Sequence, residues 1–151
     1  MANSNDLISV VTVVYNAEAY IEDTINSVLN QTYSHIEYIV IDGGSTDGTV
    51  DIIKKYDSRI SLWISESDKG VYDAMNKGIE RANGKWINFM NAGDMFYSPQ
   101  AIKSIFATAT DFDQYAIVYG DAEFRLRHIA YVSLAGESSI DRFMPFSHQA
   151  S

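Results

Sequence analysis

Short apolar runs alternate with segments of helical periodicity along most of the chain, and this alternation constrains the fold more than any other feature. Residues 7–15 read Leu-Ile-Ser-Val-Val-Thr-Val-Val-Tyr, a β-branched run typical of a strand buried on both faces of a parallel sheet. Residues 18–31 follow, and their apolar side chains recur at helical spacing on one side, namely Ile21, Ile25, Val28 and Leu29. The chain therefore opens with a predicted strand and a predicted helix.

The same unit recurs along the sequence. Further apolar runs of strand length occupy residues 36–41, 60–64 and 86–90. Helical patterns follow them at Val50, Ile53 and Tyr56, at residues 71–82, and from Ser98 through Phe106. Such alternation predicts an α/β sandwich with a mainly parallel sheet and right-handed crossovers. Residues 122–134 lack a helical stripe and instead predict an antiparallel hairpin.

Composition limits the size of the fold and the kinds of partner. With 151 residues, 46% of them hydrophobic, we expect residues 1–151 to form a single domain. Eleven basic and twenty acidic residues give a net charge of −9, which excludes the positive field that holds nucleic acid. An acidic protein can still bind a phosphorylated small molecule if a divalent cation lies between them. The polar N-terminus lacks the pattern of a signal peptide, so we expect a cytoplasmic protein.

Polar loops follow the predicted strands, where open α/β sheets bind their ligands. The richest is Asp42-Gly43-Gly44-Ser45-Thr46-Asp47-Gly48-Thr49. Its glycines allow the backbone to approach a ligand, Ser45 or Thr46 is expected to cap the next helix, and Asp42 can accept hydrogen bonds from a nucleoside. No lysine and hydroxyl pair follows, so the loop is not a P-loop. The alternative interpretation is an ordinary capped turn.

A second polar loop, Asn91-Ala92-Gly93-Asp94, directly follows the fourth predicted strand. Asp94 is a candidate ligand for Mg²⁺ or Mn²⁺, which prefer oxygen ligands and bridge the phosphates of a nucleotide. The alternative is that Asp94 only caps a turn before Pro99.

The third stretch is residues 66–78. Its helical pattern places Val71, Met75 and Ile79 in one stripe, with Ala82 continuing it, and we expect this stripe to meet the sheet. Asp73, Asn76 and Lys77 share the opposite face, where they can face a ligand. The alternative is a solvated helix face, and it applies to Lys77 more than to Asp68 and Lys69. Asp68 and Lys69 fall in the preceding strand-end loop, where Lys69 or Lys77 can meet a phosphate.

Together these stretches resemble the inverting family 2 glycosyltransferases of the GT-A fold, particularly bacterial members that build polysaccharides. The match spans nearly all of residues 7–95. It is carried by residues 9–16, Ser27-Val28-Leu29-Asn30-Gln31-Thr32, residues 39–47, residues 65–78, and the stretch from Ala82-Asn83-Gly84 to Asp94. The resemblance implies a Rossmann-like three-layer sandwich that binds a nucleoside-diphosphate sugar.

The resemblance also implies roles for individual residues. Val13 and Tyr15 would lie beside the base, Asp42 near the base or ribose, Asp68 with Lys69 in the nucleotide pocket, and Asp94 at the metal. Asp73, Asn91 and His148 are candidates for contact with the donor sugar or the acceptor.

The chain departs from the family pattern at two places. Gly43 stands where many relatives carry a second Asp, which puts a usual uracil or ribose contact in doubt. Asn91 replaces an acidic residue of the usual Asp-x-Asp or Asp-Asp pair. Asp94 is then the one sure carboxylate ligand, and we expect the donor's own phosphates to contribute strongly to metal binding.

The resemblance implies transfer of a sugar, most often from a UDP sugar, to a saccharide or lipid-linked acceptor in cell-surface polysaccharide biosynthesis. Relatives usually run longer, so we expect the chain to stop within the acceptor-binding segment and the general base to lie beyond Ser151. Two alternatives are a catalytically incomplete donor-binding module and a nucleotidyltransferase. A homodimer, and peripheral association of the full-length protein with the inner membrane face, are further options.

Overall fold

The computed structural model describes residues 6–108, 122–126 and 129–133. The chain divides into two compact units, Met1–Gln114 and Tyr115–Ser151. The first contains the alternating strands and helices that the sequence predicts, and the second contains a hairpin.

The first unit is built on a four-stranded sheet in which every neighbouring pair is parallel, in the order β3-β2-β1-β4. The strands are β1 Ile8–Val14, β2 Ile36–Asp42, β3 Leu62–Ser65 and β4 Trp86–Phe89. The order means that β1 lies between β2 and β4, and that the chain winds outward from β1 in both directions. The predicted parallel α/β sheet is confirmed.

Helices connect the strands at the predicted places. They are α1 Ile21–Leu29, α2 Thr49–Lys55, α3 Val71–Arg81 and α4 Ala101–Thr108. Within the described ranges, none of these helices has both the length and the apolar character needed to cross a membrane.

Strand β1 forms the centre of the core. All seven of its residues are buried, as expected for a parallel strand with helices on both faces. Its side chains alternate between two apolar clusters. One contains Val10 and Val14 with α1 residues such as Ile21 and Ile25. The other contains Val11, Val13, Ile39, Ile41 and Ala74. Each fully buried Val or Ile contributes about 1.5–3 kcal/mol relative to an exposed position.

The stripe predicted to meet the sheet is confirmed at Met75 and Ala82, which pack against the second apolar cluster, and is wrong at Val71 and Ile79. Val71 and Ile79 remain 43% and 46% exposed, whereas Ala74 and Gly78 are the buried residues of this helix. A Cβ atom at Gly78 would overlap the side chain of Val11 on β1. The helix lies so close to the sheet that only small residues fit at the contact, and larger apolar side chains are displaced to its flanks.

This close contact makes the stability sensitive to volume at position 78. We expect Gly78→Leu to lower the free energy of unfolding by about 2 kcal/mol, because overpacking costs of about 1–3 kcal/mol exceed the gain in helix propensity. Denaturant unfolding measures the difference. Asn76→Leu, at an exposed position of the same helix, is the matched control and should change stability by less than about 0.5 kcal/mol. Equal stability of the two variants would contradict this packing.

A hydrogen-bonded carboxylate joins three elements at the amino ends of the strands. Glu37 on β2 accepts hydrogen bonds from Ser9 Oγ (2.6 Å), from Asn83 N (2.8 Å) and from Asn83 Nδ2 (2.7 Å). Gly84 N in turn donates to Ser9 Oγ at 2.8 Å. Burial raises the pKa of Glu37, but the hydrogen bonds from Asn83 and Ser9 outweigh it and hold the pKa below its ordinary value of 4.5. The network fixes the turn between α3 and β4.

A carboxyl group whose folded-state pKa is lowered adds stability above its unfolded pKa, and this stability is lost as the pH falls through the folded value. We therefore expect Glu37→Gln to destabilise the protein at pH 7, and the difference from wild type to shrink below pH 4.5. Thermal unfolding across pH 3–8 tests this. Glu80→Gln serves as the control, because the Glu80 side chain is 75% exposed. A pH-independent difference for Glu37→Gln would refute the role of its charge.

The second unit contains the predicted hairpin. Strands β5 Ala122–Leu126 and β6 Ile129–Ser133 pair antiparallel, with Ala122 opposite Ser133 and Leu126 opposite Ile129. The hairpin expected at residues 122–134 is confirmed in these strands.

Candidate functional site

A cleft of about 460 Å³ opens at the carboxyl ends of β1 and β2. Three segments line it: the end of β1, the loop after β2, and the segment that leads into α3. The lining residues are Val13, Val14, Tyr15, Gly43, Gly44, Ser67, Asp68, Gly70, Val71 and Ala74. The volume lies within the range of small-molecule sites, and the position follows the rule for ligands of open α/β sheets.

The buried carboxylate of Asp42 organises the loop beside the cleft. Asp42 is 0% exposed, and its Oδ2 accepts hydrogen bonds from Gly44 N (3.1 Å), Ser45 N (3.0 Å) and Ser65 Oγ (2.6 Å). Ser45 Oγ donates a further short hydrogen bond to Oδ1. The carboxylate therefore fixes the loop after β2 and joins it to the end of β3. Direct contact of Asp42 with a nucleoside stays a prediction.

The loops after β1 and β2 are joined to each other. Asn16 N donates to Ser45 Oγ and Thr46 N donates to Asn16 Oδ1, both at 2.8 Å. Asn16 adopts a positive φ of 47°, which Asn tolerates better than most residues. The expectation that Ser45 or Thr46 caps α2 is wrong, because Gly48 occupies the N-cap without a side-chain hydrogen bond. The Ser45 side chain and the Thr46 backbone amide bridge the loops instead.

Asp68 presents a carboxylate to the cleft. Its Oδ1 accepts a hydrogen bond from Gly70 N at 2.8 Å. Its Oδ2 lies against Gly43, where an added Cβ atom would overlap it. No hydrogen bond to Oδ2 is present among the described residues. Gly43 thus makes room for an acceptor atom that remains available to a ligand.

The basic residues near the cleft differ in their partners. Lys77 lies in ion pairs with Glu66 (3.0 Å) and Asp73 (3.5 Å), and its Nζ donates to Ser67 O at 3.2 Å. These carboxylates raise the pKa of Lys77, foremost through the hydrogen bond to Glu66. Lys77, predicted to face a ligand, instead ties α3 to the loop before it. Lys69 is exposed.

Asp73 also holds this loop. Its Oδ2 accepts a hydrogen bond from Lys69 N at 3.1 Å, just before the start of α3. That backbone hydrogen bond and the nearby charge of Lys77 hold the pKa of Asp73 below its ordinary value. The Asp73 carboxylate supports the first turn of the helix in the structure, and its predicted contact with a sugar or acceptor remains a prediction.

The loop Asn91–Asp94 lies beside the end of β1. Ala92 N donates to Val13 O at 3.1 Å, and Asp94 N donates to Asn91 O at 2.9 Å. Asp94 is exposed at its residue surface, yet desolvation by neighbouring atoms raises the pKa of its carboxyl above the ordinary value. The Asn91 Oδ1 atom is buried without a hydrogen-bond partner among the described residues. The loop therefore carries two oxygen atoms suited to a hard cation.

In the described part of the chain, no cluster of three or more acidic or histidine side chains could hold a metal alone. The two oxygens of this loop fit a divalent cation only if other oxygens complete its coordination. That composition suits Mg²⁺ or Mn²⁺, which take substrate phosphates and waters among their ligands.

The structure brings together some of the predicted site residues. Val13, Tyr15 and Asp68 line one cleft, with Asp42 buried behind its loop and Lys69 and Asp73 at the start of α3. Asn91 and Asp94 follow β4, which pairs with β1. His148 and Ser151 lie outside the described residues. No local pattern predicts the role of Ser65, whose hydroxyl contacts Asp42 from 23 residues away.

A family model described as Glycosyl transferase family 2 matches residues 9–140. TuaG of Bacillus subtilis (strain 168), a glycosyltransferase named for teichuronic acid biosynthesis, is 42% identical over 108 residues, covering 70% of this chain and 43% of that protein. The PGL/p-HBAD biosynthesis glycosyltransferase of Mycobacterium bovis (strain BCG / Pasteur 1173P2) is 29% identical over 141 residues, covering 91% of this chain and 54% of that protein. The chain thus spans about half the length of these curated relatives.

Solved structures show the same architecture. S. aureus TarS 1-349 in complex with UDP-GlcNAc has a TM-score of 0.61 at 27% identity, over 67% of this chain and 30% of that chain. Glucosyl-3-phosphoglycerate synthase from Mycobacterium tuberculosis in complex with Mn²⁺, UDP and glucosyl-3-phosphoglycerate has a TM-score of 0.52 at 26% identity, over 60% and 35% of the two chains. The mannosyltransferase PcManGT from Pyrobaculum calidifontis has a TM-score of 0.63 at 20% identity, over 72% and 34%. The predicted GT-A fold is confirmed.

The contact between Gly43 and Asp68 can be tested by a double-mutant cycle. We expect Gly43→Ala to lower the free energy of unfolding by about 1–3 kcal/mol, because the new methyl group overlaps the Asp68 carboxylate. The cost should largely disappear in an Asp68→Ala background, where that carboxylate is absent. Denaturant unfolding of the four proteins gives the coupling energy, expected at about 1 kcal/mol or more. Additive effects of the two substitutions would show that the residues do not contact each other.

Proposed function

The chain belongs to glycosyl transferase family 2, and we propose that it transfers a sugar from a UDP sugar to a saccharide or lipid-linked acceptor, with inversion at the transferred carbon. The observation that carries this proposal is the cleft at the ends of β1 and β2, with the available Asp68 Oδ2 atom on its wall. A nucleoside-diphosphate sugar as the ligand agrees with the UDP-GlcNAc bound by TarS.

We propose that the nucleoside occupies this cleft. Val13 and Tyr15 supply apolar and aromatic surface beside the base, and Asp68 Oδ2 accepts a hydrogen bond from the base or ribose. Asp42 supports this contact by holding the Gly43–Gly44 backbone in place, because its own oxygens already accept hydrogen bonds from the loop. Lys69, which is exposed before α3, is proposed to contact a phosphate.

Asp94, with Asn91, is proposed to hold Mn²⁺ or Mg²⁺, and the phosphates of the donor complete the coordination. The exposed position of Asp94 in the loop beside the end of β1 and the unpartnered Asn91 Oδ1 atom support this assignment. A divalent cation bound there would act as a Lewis acid that stabilises the charge of the departing diphosphate. The Mn²⁺ bound together with UDP in glucosyl-3-phosphoglycerate synthase supports a metal in this role.

The proposed reaction is a single displacement. The acceptor hydroxyl oxygen forms a bond to the anomeric carbon from the face opposite the diphosphate, while the bond from that carbon to the phosphate oxygen breaks. The hydroxyl proton passes to a general base. We propose that the acceptor segment supplies this base, and that Asp73 and His148 contact the sugar or the acceptor.

We further propose that the enzyme acts in the synthesis of cell-surface polysaccharide or glycolipid, at the cytoplasmic side of the membrane. The teichuronic acid and PGL/p-HBAD pathways named for the relatives support this setting. The proposed use of nucleoside-diphosphate sugars as donors also agrees with this setting. Homodimerisation remains part of the proposal for the full-length protein.

If Asp94 binds the metal, its substitution should reduce the Mn²⁺-dependent part of UDP binding. We expect Asp94→Ala to weaken UDP binding in the presence of Mn²⁺ by at least about tenfold, because the chain loses its carboxylate ligand. Binding of UDP without metal should change little. Calorimetric titration with UDP, with and without Mn²⁺, measures both affinities.

Asp51→Ala is the matched control, because Asp51 is an exposed carboxylate on α2 whose partner is Lys54. GDP and ATP serve as competing ligands in the same titration. An Mn²⁺-dependent affinity that is the same in Asp94→Ala and wild type would disprove the metal assignment, and preference for ATP would favour a nucleotidyltransferase. Release of UDP from UDP sugars then separates a transferase from a module that only binds the donor.

A further inference from the structure

Helix α1 and the segment just after it carry a row of polar side chains beside the buried apolar face of the helix. Thr24 lies one to four residues from Ile21, Ile25 and Val28, all of which are buried in the same cluster. Ser27 follows at the i+3 position and Gln31 just after the helix at i+7. Burying a polar group costs free energy unless the group is hydrogen-bonded. The hydrogen-bond partners of these side chains therefore indicate their structural role.

Thr24 clamps the dipeptide that contains Asp94. Its hydroxyl donates to Asp94 O and accepts from Gly93 N, both at 2.9 Å. The side chain is fully buried, so water does not compete for these hydrogen bonds. The two contacts bracket the Gly93–Asp94 backbone from its first amide to its last carbonyl, and they hold Gly93 at a φ of 99°.

The rest of the row holds the chain beyond Asp94. Ser27 Oγ accepts a hydrogen bond from Phe96 N at 3.4 Å. Gln31 Nε2 donates to Ser98 O at 2.8 Å, and Gln31 Oε1 accepts from Ile102 N at 3.1 Å. Helix α1 is thus joined to the loop after β4 at successive points, and Thr24 makes the contact nearest to Asp94.

We infer that Thr24 is a positioning residue for Asp94: its buried hydroxyl sets the direction in which the Asp94 carboxylate leaves the backbone towards a divalent cation. The inference rests on the proposed function, because it takes Asp94 as the metal ligand. The physical reason is that the Gly93 backbone favours several conformations when free, since glycine has no Cβ. Without the hydrogen bonds to Thr24, the Asp94 carboxylate must become ordered when the cation binds, and this ordering lowers the affinity for the metal.

The test compares three substitutions at Thr24 in the full chain. Thr24→Ser keeps the hydroxyl, Thr24→Val replaces it with a methyl group of similar shape, and Thr24→Ala leaves space for a water molecule. Amide hydrogen exchange at Gly93, followed by NMR without any ligand, reports the clamp itself. Calorimetric titration of UDP with and without Mn²⁺ reports the metal-dependent part of the affinity.

We expect Thr24→Val to accelerate exchange at Gly93 by about tenfold or more and to reduce the Mn²⁺-dependent gain in UDP affinity by about 10-fold to 100-fold. UDP affinity without metal should stay within about twofold of wild type, because the nucleoside cleft is not lined by this loop. Thr24→Ser should resemble wild type in both measurements. If Thr24→Val does not fold, Thr24→Ala decides by the same two criteria.

Asn26→Ala is the matched control. Asn26 lies on the same helix, but it donates to Tyr56 Oη at the end of α2 and not to the loop that contains Asp94. Equal loss of Mn²⁺-dependent affinity in Asn26→Ala and Thr24→Val would overturn the inference, since the effect would then belong to the helix as a whole. Unchanged exchange at Gly93 in folded Thr24→Val overturns it as well. If wild-type UDP binding does not respond to Mn²⁺, the proposed metal role fails, even where the exchange data establish the clamp.

Discussion

One buried carboxylate holds together the loops on which the cleft depends. Asp42 ends β2 inside the protein, and its oxygens accept hydrogen bonds from Gly44, Ser45 and Ser65. A buried charge is tolerated only when such donors compensate it, so loss of one donor costs far more than an ordinary surface contact. Ser45 extends the network to Asn16 on the neighbouring loop. The shape of the site is therefore coupled to the stability of the sheet.

Two glycines determine how closely neighbouring segments of the site approach each other. Gly43 leaves space for the Asp68 carboxylate, and Gly78 allows α3 to lie directly on Val11 of β1. The start of α3 and the segment before it form one wall of the cleft. The contact of Gly78 with Val11 therefore also influences the position of Asp68 against Gly43. Interiors are packed too densely for either contact to absorb an added methyl group without movement elsewhere.

The sequence predicted the strands and helices well, because buried parallel strands and amphipathic helices leave strong patterns. Strand β1 is apolar or β-branched at nearly every position, and it is buried at every position. The pattern on α3 predicts its buried face only in part, because the close contact between helix and sheet buries the small residues Ala74 and Gly78 and leaves Val71 and Ile79 exposed. The contact of Ser65 with Asp42 and the contact of Thr24 with Asp94 join residues 23 and 70 positions apart, which no local pattern reveals.

The charges around the site show why a divalent cation and a diphosphate suit each other here. Lys77 is already paired with Glu66 and Asp73, so it has little charge to offer a phosphate. Asp68 and Asp94 add negative charge beside the proposed ligand, and the whole chain carries −9. A diphosphate alone would be repelled by this field, and so would gain most from a cation bound beside it. A cation would in turn be held weakly by Asp94 and Asn91 alone. The electrostatics thus favour joint binding of metal and nucleotide, with each supplying the charge that the other lacks.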